Sequence, residues 1–173
     1  MDLKKLVRDV PNFPKEGIIF KDITTLMKDP DGISNAADIL YNFAKDKKIT
    51  KVAGIESRGF ILGGILAQKL NAGFIPIRKP GKLPAETISE KYSLEYGTDS
   101  IEIHKDAISP GDIILLHDDL LATGGTMQAA CKLIERLGGK VAQISFIIEL
   151  NFLNGREKLK NYDLRSIIQY DSE

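Results

Sequence analysis

Residues 117–127 read HDDLLATGGTM, two adjacent carboxylates followed by hydroxyls and a pair of glycines. The stretch follows an apolar run and precedes a pattern of helical spacing, so its end lies where a helix begins. The first N–H groups of a helix are unpaired and the helix dipole is positive there, which makes ATGGT an anion cradle. Gly124 and Gly125 permit a tight turn and close approach of a phosphate, and Thr123 and Thr126 add hydroxyl donors. Asp118 and Asp119 would repel an anion placed against them. Beside it they can accept hydrogen bonds from sugar hydroxyls, so the whole stretch suits a phosphorylated sugar. ESRGF (56–60) has the same character, a strand end passing into a helix with backbone N–H groups aimed outward. The patterns G-x-x-x-x-G-K-[ST] and G-x-G-x-x-G are both missing, which disfavours a P-loop nucleotidase and a dinucleotide binder.

Such loops need a frame. Ile33, Ala36, Ala37, Leu40, Phe43 and Ala44 recur at helical spacing, and Asp29-Pro30 supplies an N-cap with Pro at the first helical position, so a helix is predicted over about 30–46. KVAGI (51–55) reads as a buried strand, GFILGGILAQKL as a helix apolar on most sides, and FIPI (74–77) as another strand. A third round follows, with DIILLH (112–117) as strand ending near His117, TMQAACKLIERL (126–137) as helix, Gly138-Gly139 as its C-cap and VAQISFIIEL (141–150) as strand. Apolar strands alternating with helices predict an α/β fold with a central, mainly parallel sheet flanked by helices on both faces. Ligands in such folds bind outside the carboxyl ends of the strands. The polar segment 78–110 breaks the alternation, and SLEY and SIEIH within it suggest a hairpin; a segment of this length fits a functional lid.

The chain of 173 residues suits one domain. Lys plus Arg and Asp plus Glu number 24 each, so no general attraction to nucleic acid or anionic lipid follows and any anion site must be built locally. One cysteine, Cys131, excludes an internal disulfide and, with His104 and His117 the only histidines, leaves no cluster for structural zinc. Cys131 reads as core and both histidines as structural. The single cysteine predicts a reducing, cytosolic compartment, and with no recognisable signal peptide or membrane span, secretion and membrane insertion are not expected.

ILLHDDLLATGGTM resembles the phosphoribosyl pyrophosphate motif of the type I phosphoribosyltransferases, in the version found in adenine phosphoribosyltransferases. PNFPKEGIIFKDITTLMKDP, ESRGF, RKPGKLP, YSLEYGTDSIEIHKDAI and NGREKL are similar to segments of the same family, in the same order. The resemblance implies a single type I phosphoribosyltransferase domain over 1–173, with an N-terminal hood (1–30) and a long flexible lid loop or hairpin (78–110). It implies that adenine and 5-phosphoribosyl 1-pyrophosphate react to AMP and pyrophosphate in a cytoplasmic homodimer, with Mg2+ held mainly by substrate oxygens and water rather than by a dedicated cage.

Carried over by resemblance, Ala122, Thr123, Gly124, Gly125 and Thr126 hold the 5-phosphate, while Asp118 and Asp119 face the ribose hydroxyls and favour a cationic ring. Glu56, Ser57 and Arg58 hold pyrophosphate, with a cis peptide at Glu56-Ser57; Glu56 stands where many relatives carry Asp. An arginine fork suits paired phosphate oxygens. Arg78, Lys79 and Lys82, at the root of the lid, reach the leaving pyrophosphate. Glu95 handles the purine proton and Tyr96 is its aromatic neighbour. Ile19 and Lys21 read the adenine edge through backbone groups, and Phe20 stacks on or borders the ring; Lys21 stands where several relatives have Arg. Two rival readings share the phosphate motif. One is a type I transferase for hypoxanthine, guanine, xanthine or orotate, against which the hood and lid segments speak. The other is a regulator that binds the phosphoribosyl compound without turnover, which would need a basic DNA-binding face.

Overall fold

The computed structural model describes residues 1–94 and 97–173. In chain order the elements are β1 (Arg8–Pro11), β2 (Ile19–Asp22), α1 (Thr24–Met27), α2 (Pro30–Ala44), β3 (Lys51–Ile55), α3 (Gly59–Lys69), β4 (Gly73–Ile77), β5 (Thr87–Ser93), β6 (Thr98–His104), β7 (Ile113–Leu121), α4 (Gly125–Arg136), β8 (Lys140–Leu150) and β9 (Leu164–Tyr170). Strands β4, β3, β7, β8 and β9 form the central sheet in that order. Every pairing within it is parallel, so all five carboxyl ends lie at one end of the molecule. That end carries the site.

Burial explains which face each helix takes. Asp29 accepts a hydrogen bond from the Gly32 N–H at 2.7 Å and Pro30 opens α2, whose Ala36, Ala37, Leu40 and Ala44 are buried. These pack with Leu62 and Leu66 of α3 against Val52, Leu115 and Ile147 on one face of the sheet. The other face gathers Ile55, Ile114, Leu116 and Phe146 under Met127, Ala130 and Ile134 of α4. Alternation along β7 therefore sends Leu115, His117 and Asp119 toward one layer and Ile114, Leu116 and Asp118 toward the other.

The polar segment after β4 is a hairpin. Strands β5 and β6 pair antiparallel from Thr87 opposite His104 to Ser93 opposite Thr98, and Ile101 and Ile103 are buried in the α4-side core. At its root Arg78 and Glu102 exchange both backbone hydrogen bonds, and on its outer strand Arg136 of α4 donates to the Ser89 carbonyl at 2.9 Å. The segment is thereby fixed along most of its length. Glu95 and Tyr96, assigned to proton handling and its aromatic neighbour, lie outside the described residues.

One strand end differs from the sequence expectation. Strand β7 continues past His117 to Leu121, because Asp118, Leu120 and Leu121 still pair with Phe146, Ile148 and Glu149 of β8. The acidic pair therefore sits on rigid strand, and only Ala122–Gly124 remain as the turn into α4. Strand β9 and the hairpin of β1 with β2 were not anticipated as elements. Among the described residues no helix is long and apolar enough to cross a membrane.

Candidate active site

Gly124 is in the left-handed region, with φ at 82°, and α4 begins at the next residue. The turn from Ala122 to Thr126 lines a small pocket of about 90 Å³ together with Asp118 and Phe146. Its N–H groups belong to the first turn of a twelve-residue helix, where backbone donors and dipole both favour an anion. A neighbouring pocket of about 200 Å³ is lined by Glu56, Arg78, Lys79 and Tyr92. The two pockets share Asp118 and Thr126. An anion cradle, a carboxylate and a cationic recess thus follow one another in space.

The carboxylates of the pair have different surroundings. Asp119 is buried and accepts from Arg58 Nε at 2.5 Å, while Asp118 Oδ1 accepts from the Asp119 N–H at 2.8 Å. Burial, with the neighbouring charge of Asp119, pushes the Asp118 carboxyl well above the ordinary range, and the Arg58 guanidinium only partly offsets this. Packed close against the start of α3, Asp118 is the member of the pair that carries charge less readily. Gly59 allows this approach: a Cβ there would lie 2.9 Å from Asp118 Oδ1 and 3.0 Å from the His117 carbonyl oxygen. The first turn of α3 can lie against β7 because that atom is missing.

ESRGF is placed as the strand-to-helix passage expected, with a cis peptide at Glu56-Ser57 and α3 opening at Gly59. Ser57 and Arg58 are exposed at the mouth. The Glu56 side chain is turned to cations: Arg78 donates from Nε and Nη2 at 3.2 Å each, the Lys79 N–H donates at 3.0 Å, and Lys82 Nζ lies 3.5 Å away. Burial would raise the Glu56 carboxyl, but the Arg78 hydrogen bonds, the Lys79 N–H and the two side-chain charges hold it below its ordinary value. Its carboxylate is bonded to Arg78 and lies beside Lys82. Lys79 is bonded to Tyr92 Oη at 2.7 Å and to Asp99, which ties the β5–β6 hairpin to the recess.

The hood residues Ile19, Phe20 and Lys21 lie on β2. Phe20 packs edge-on against Phe13, with ring centroids 5.2 Å apart, and the Arg58 guanidinium carbon stands 5.4 Å from its ring centroid. Phe20 is thus linked through Arg58 to Asp119. The Lys21 side chain leaves in the other direction and is buried against Asp9 and Tyr170.

Several supporting residues had no role in the sequence reading. Gly155 packs on the phosphate turn so closely that a Cβ would lie 2.3 Å from the Ala122 carbonyl oxygen. The loop carrying Gly155 is held by Arg156, which pairs with buried Glu149 through two hydrogen bonds of 2.8 and 2.7 Å. The only signal in sequence was the NGREKL segment itself.

His117 is fully buried behind the acidic pair, with Nδ1 2.9 Å from Ser145 Oγ. Burial holds its imidazole down to about 4, against the opposing pull of Asp119 and Ser145. The unfolded chain therefore binds a proton that the native state refuses: this contribution is complete above about pH 6.5 and lost as pH falls toward 4, on the order of 3 kcal/mol over the window. In urea titrations at pH 7 and pH 5, wild type is expected to lose more stability than His117→Val. Equal losses would remove His117 as the cause. Cys131 is likewise buried, its thiol pushed up to about 12 by desolvation.

Parallel strands deliver an acidic pair and a helix-start cradle to one rim, opposite a cationic recess, an arrangement suited to a phosphorylated substrate. A family model described as phosphoribosyl transferase domain matches residues 22–171, and the chain belongs to that family. An adenine phosphoribosyltransferase of Halothermothrix orenii is 59% identical over 98% of this chain and 99% of its own, and one of Bacteroides fragilis is 57% identical over 96% and 95%. The crystal structure of adenine phosphoribosyltransferase from Thermoanaerobacter pseudethanolicus, 51% identical, superposes with a TM-score of 0.95 over 98% of both chains. That from Saccharomyces cerevisiae, complexed with an imino-altritol bisphosphate and adenine, is 39% identical with a TM-score of 0.92 over 96% of both. Within the family, the chain belongs with the adenine phosphoribosyltransferases.

Proposed function

We propose that this enzyme transfers the 5-phosphoribosyl group of 5-phosphoribosyl 1-pyrophosphate to adenine, releasing pyrophosphate and forming AMP in purine salvage. The observation that carries the reading is the meeting of the two pockets at Asp118 and Thr126. A 5-phosphate in the Ala122–Thr126 cradle sets the ribose over Asp118, and the diphosphate at C1 enters the recess of Arg78, Lys79 and Lys82. The bond from C1 to the diphosphate oxygen breaks with its electron pair going to oxygen, and a ring nitrogen of adenine supplies the pair for the new C1–N bond. Positive charge on the ribose ring is met by the acidic pair, and negative charge on the leaving group by the cations, so the acceleration is chiefly electrostatic. The purine proton leaves through Glu95 in this reading.

Magnesium would enter as a substrate-borne ion, held by diphosphate oxygens and water, and would supply positive charge to the leaving group. Phe20 covers the base from the hood, and the β2 backbone reads its edge. We also infer a homodimer. Support comes from an exposed apolar patch shared by α3 and β4: Ile61 of α3 and Phe74 of β4 are 43% and 37% exposed, and Phe60 packs edge-on against Phe74. A solution mass of a single chain would contradict the dimer. A cytoplasmic setting agrees with the free buried thiol of Cys131. The reaction is tested by supplying adenine, 5-phosphoribosyl 1-pyrophosphate and magnesium: one pyrophosphate per AMP is expected, and pyrophosphate without AMP would show hydrolysis instead.

A further inference from the structure

Lys21 stands in the middle of the hood strand, yet its side chain is 4% exposed and points away from the base side. Its Nζ lies 2.9 Å from Asp9 Oδ1 and 4.3 Å from the centroid of the Tyr170 ring. Lys4, from the short helix before β1, brings a second ammonium to 4.3 Å from the same centroid and donates to the Gln169 carbonyl at 2.9 Å. Tyr170 closes β9, the edge strand of the parallel sheet, so it lies at the carboxyl-end rim where the site is built. Two cations from the hood region thus converge on one ring of the rim, and Asp9 is the counter-charge of Lys21.

An ammonium stripped of most of its water needs both a counter-charge and a π face to stay where it is, and Tyr170 supplies the second. The residue before Lys21 is Phe20, which faces Arg58. Alternation along β2 makes these two anchorages act on opposite faces of one short strand.

We propose that Tyr170 is a positioning residue for the base site: by clasping Lys21 and Lys4 it fixes the β1–β2 hood at the height from which Phe20 covers the purine. The proposal rests on the adenine reading for its kinetic consequence, but not for the clasp itself. The clasp sets base affinity and leaves the phosphate cradle alone, because the cradle is held separately by Gly155 and the Glu149–Arg156 pair.

The test uses the full chain with Tyr170→Leu, Tyr170→Phe and Lys21→Met, read by KM for each substrate and by amide hydrogen exchange over residues 8–22. Tyr170→Leu is expected to raise KM for adenine by about tenfold and to speed exchange in the hood, with KM for the phosphoribosyl donor changed by less than about twofold. Tyr170→Phe, which keeps the ring, restores both readouts. Lys21→Met behaves as Tyr170→Leu does, and decides the matter should the leucine variant fail to fold. Unchanged adenine KM, with or without faster exchange, overturns the proposal; so does an equal rise in both KM values, or a phenylalanine variant as impaired as leucine. Exchange is read without turnover. A wild-type protein that makes no AMP would therefore remove the adenine reading while the clasp is still judged on exchange.

Discussion

Replacing both Asp118 and Asp119 by Asn is expected to lower turnover by about a thousandfold or more while the fold survives. Asp118 lines both the cradle and the recess and Asp119 holds Arg58 at the same rim, so in the proposed reaction the pair is the source of negative potential beside the ribose ring. Asn keeps the shape and removes the charge. Losing a single preorganised electrostatic contact at a reacting centre commonly lowers rate by about 10²–10³, and here two are lost together. Stability should suffer little. Asp118 already sits in surroundings that disfavour its charge, and Arg58, the partner of Asp119, is 45% exposed and can turn to water. Steady-state kcat beside a thermal melt checks this. A folded double variant with near-normal turnover would remove the acidic pair from the mechanism.

Gly155→Ala should act on the other half of the substrate, from outside the motif. Its Cβ would fall 2.3 Å from the Ala122 carbonyl oxygen and 3.0 Å from Leu121 Cδ1, and the first of these is backbone that cannot turn aside. The loop behind is equally constrained, because Arg156 is held by Glu149 and Gly124 already occupies the space facing Gly155. The phosphate turn must therefore move. Overpacking of this kind costs about 1–3 kcal/mol of stability. A displacement approaching 1 Å in a positioning element lowers catalytic efficiency by about 100-fold. The loss is expected in kcat/KM for the phosphoribosyl donor, with KM for adenine changed far less. Equal losses toward both substrates would indicate general loosening instead.

The alternation of β3, α3, β4, β7, α4 and β8 was legible because β3, β7 and β8 are interior strands and all four strands read as apolar runs, while α2 and α4 show helical spacing. Strand β9 was not, since LRSIIQY is an edge strand with exposed Arg165 and Gln169 and lacks a continuous apolar run. The end of β7 was misplaced for a related reason. Two aspartates look like a turn, yet Leu120 and Leu121 continue the pairing with β8 beyond them. The cradle at Ala122–Thr126 was visible because Gly and Thr at a helix start announce themselves chemically. Gly155 was invisible because it contributes only the absence of a side chain at a contact formed by distant segments. Glu56 shows a third limit: its charge was readable, but its direction toward Arg78 and Lys82 depends on where β4 ends. Lys21 is similar, since its destination, Tyr170, lies at the opposite end of the chain.

The most direct measurement of the central claim is a competition among bases. Purified protein is given 5-phosphoribosyl 1-pyrophosphate, magnesium and equimolar adenine, hypoxanthine, guanine, xanthine and orotate, and the nucleotides formed are identified by mass. AMP as the one major product is the predicted result. IMP, GMP, XMP or OMP as the major product would contradict adenine as the base, and binding of the phosphoribosyl donor with no nucleotide formed would contradict the transferase itself.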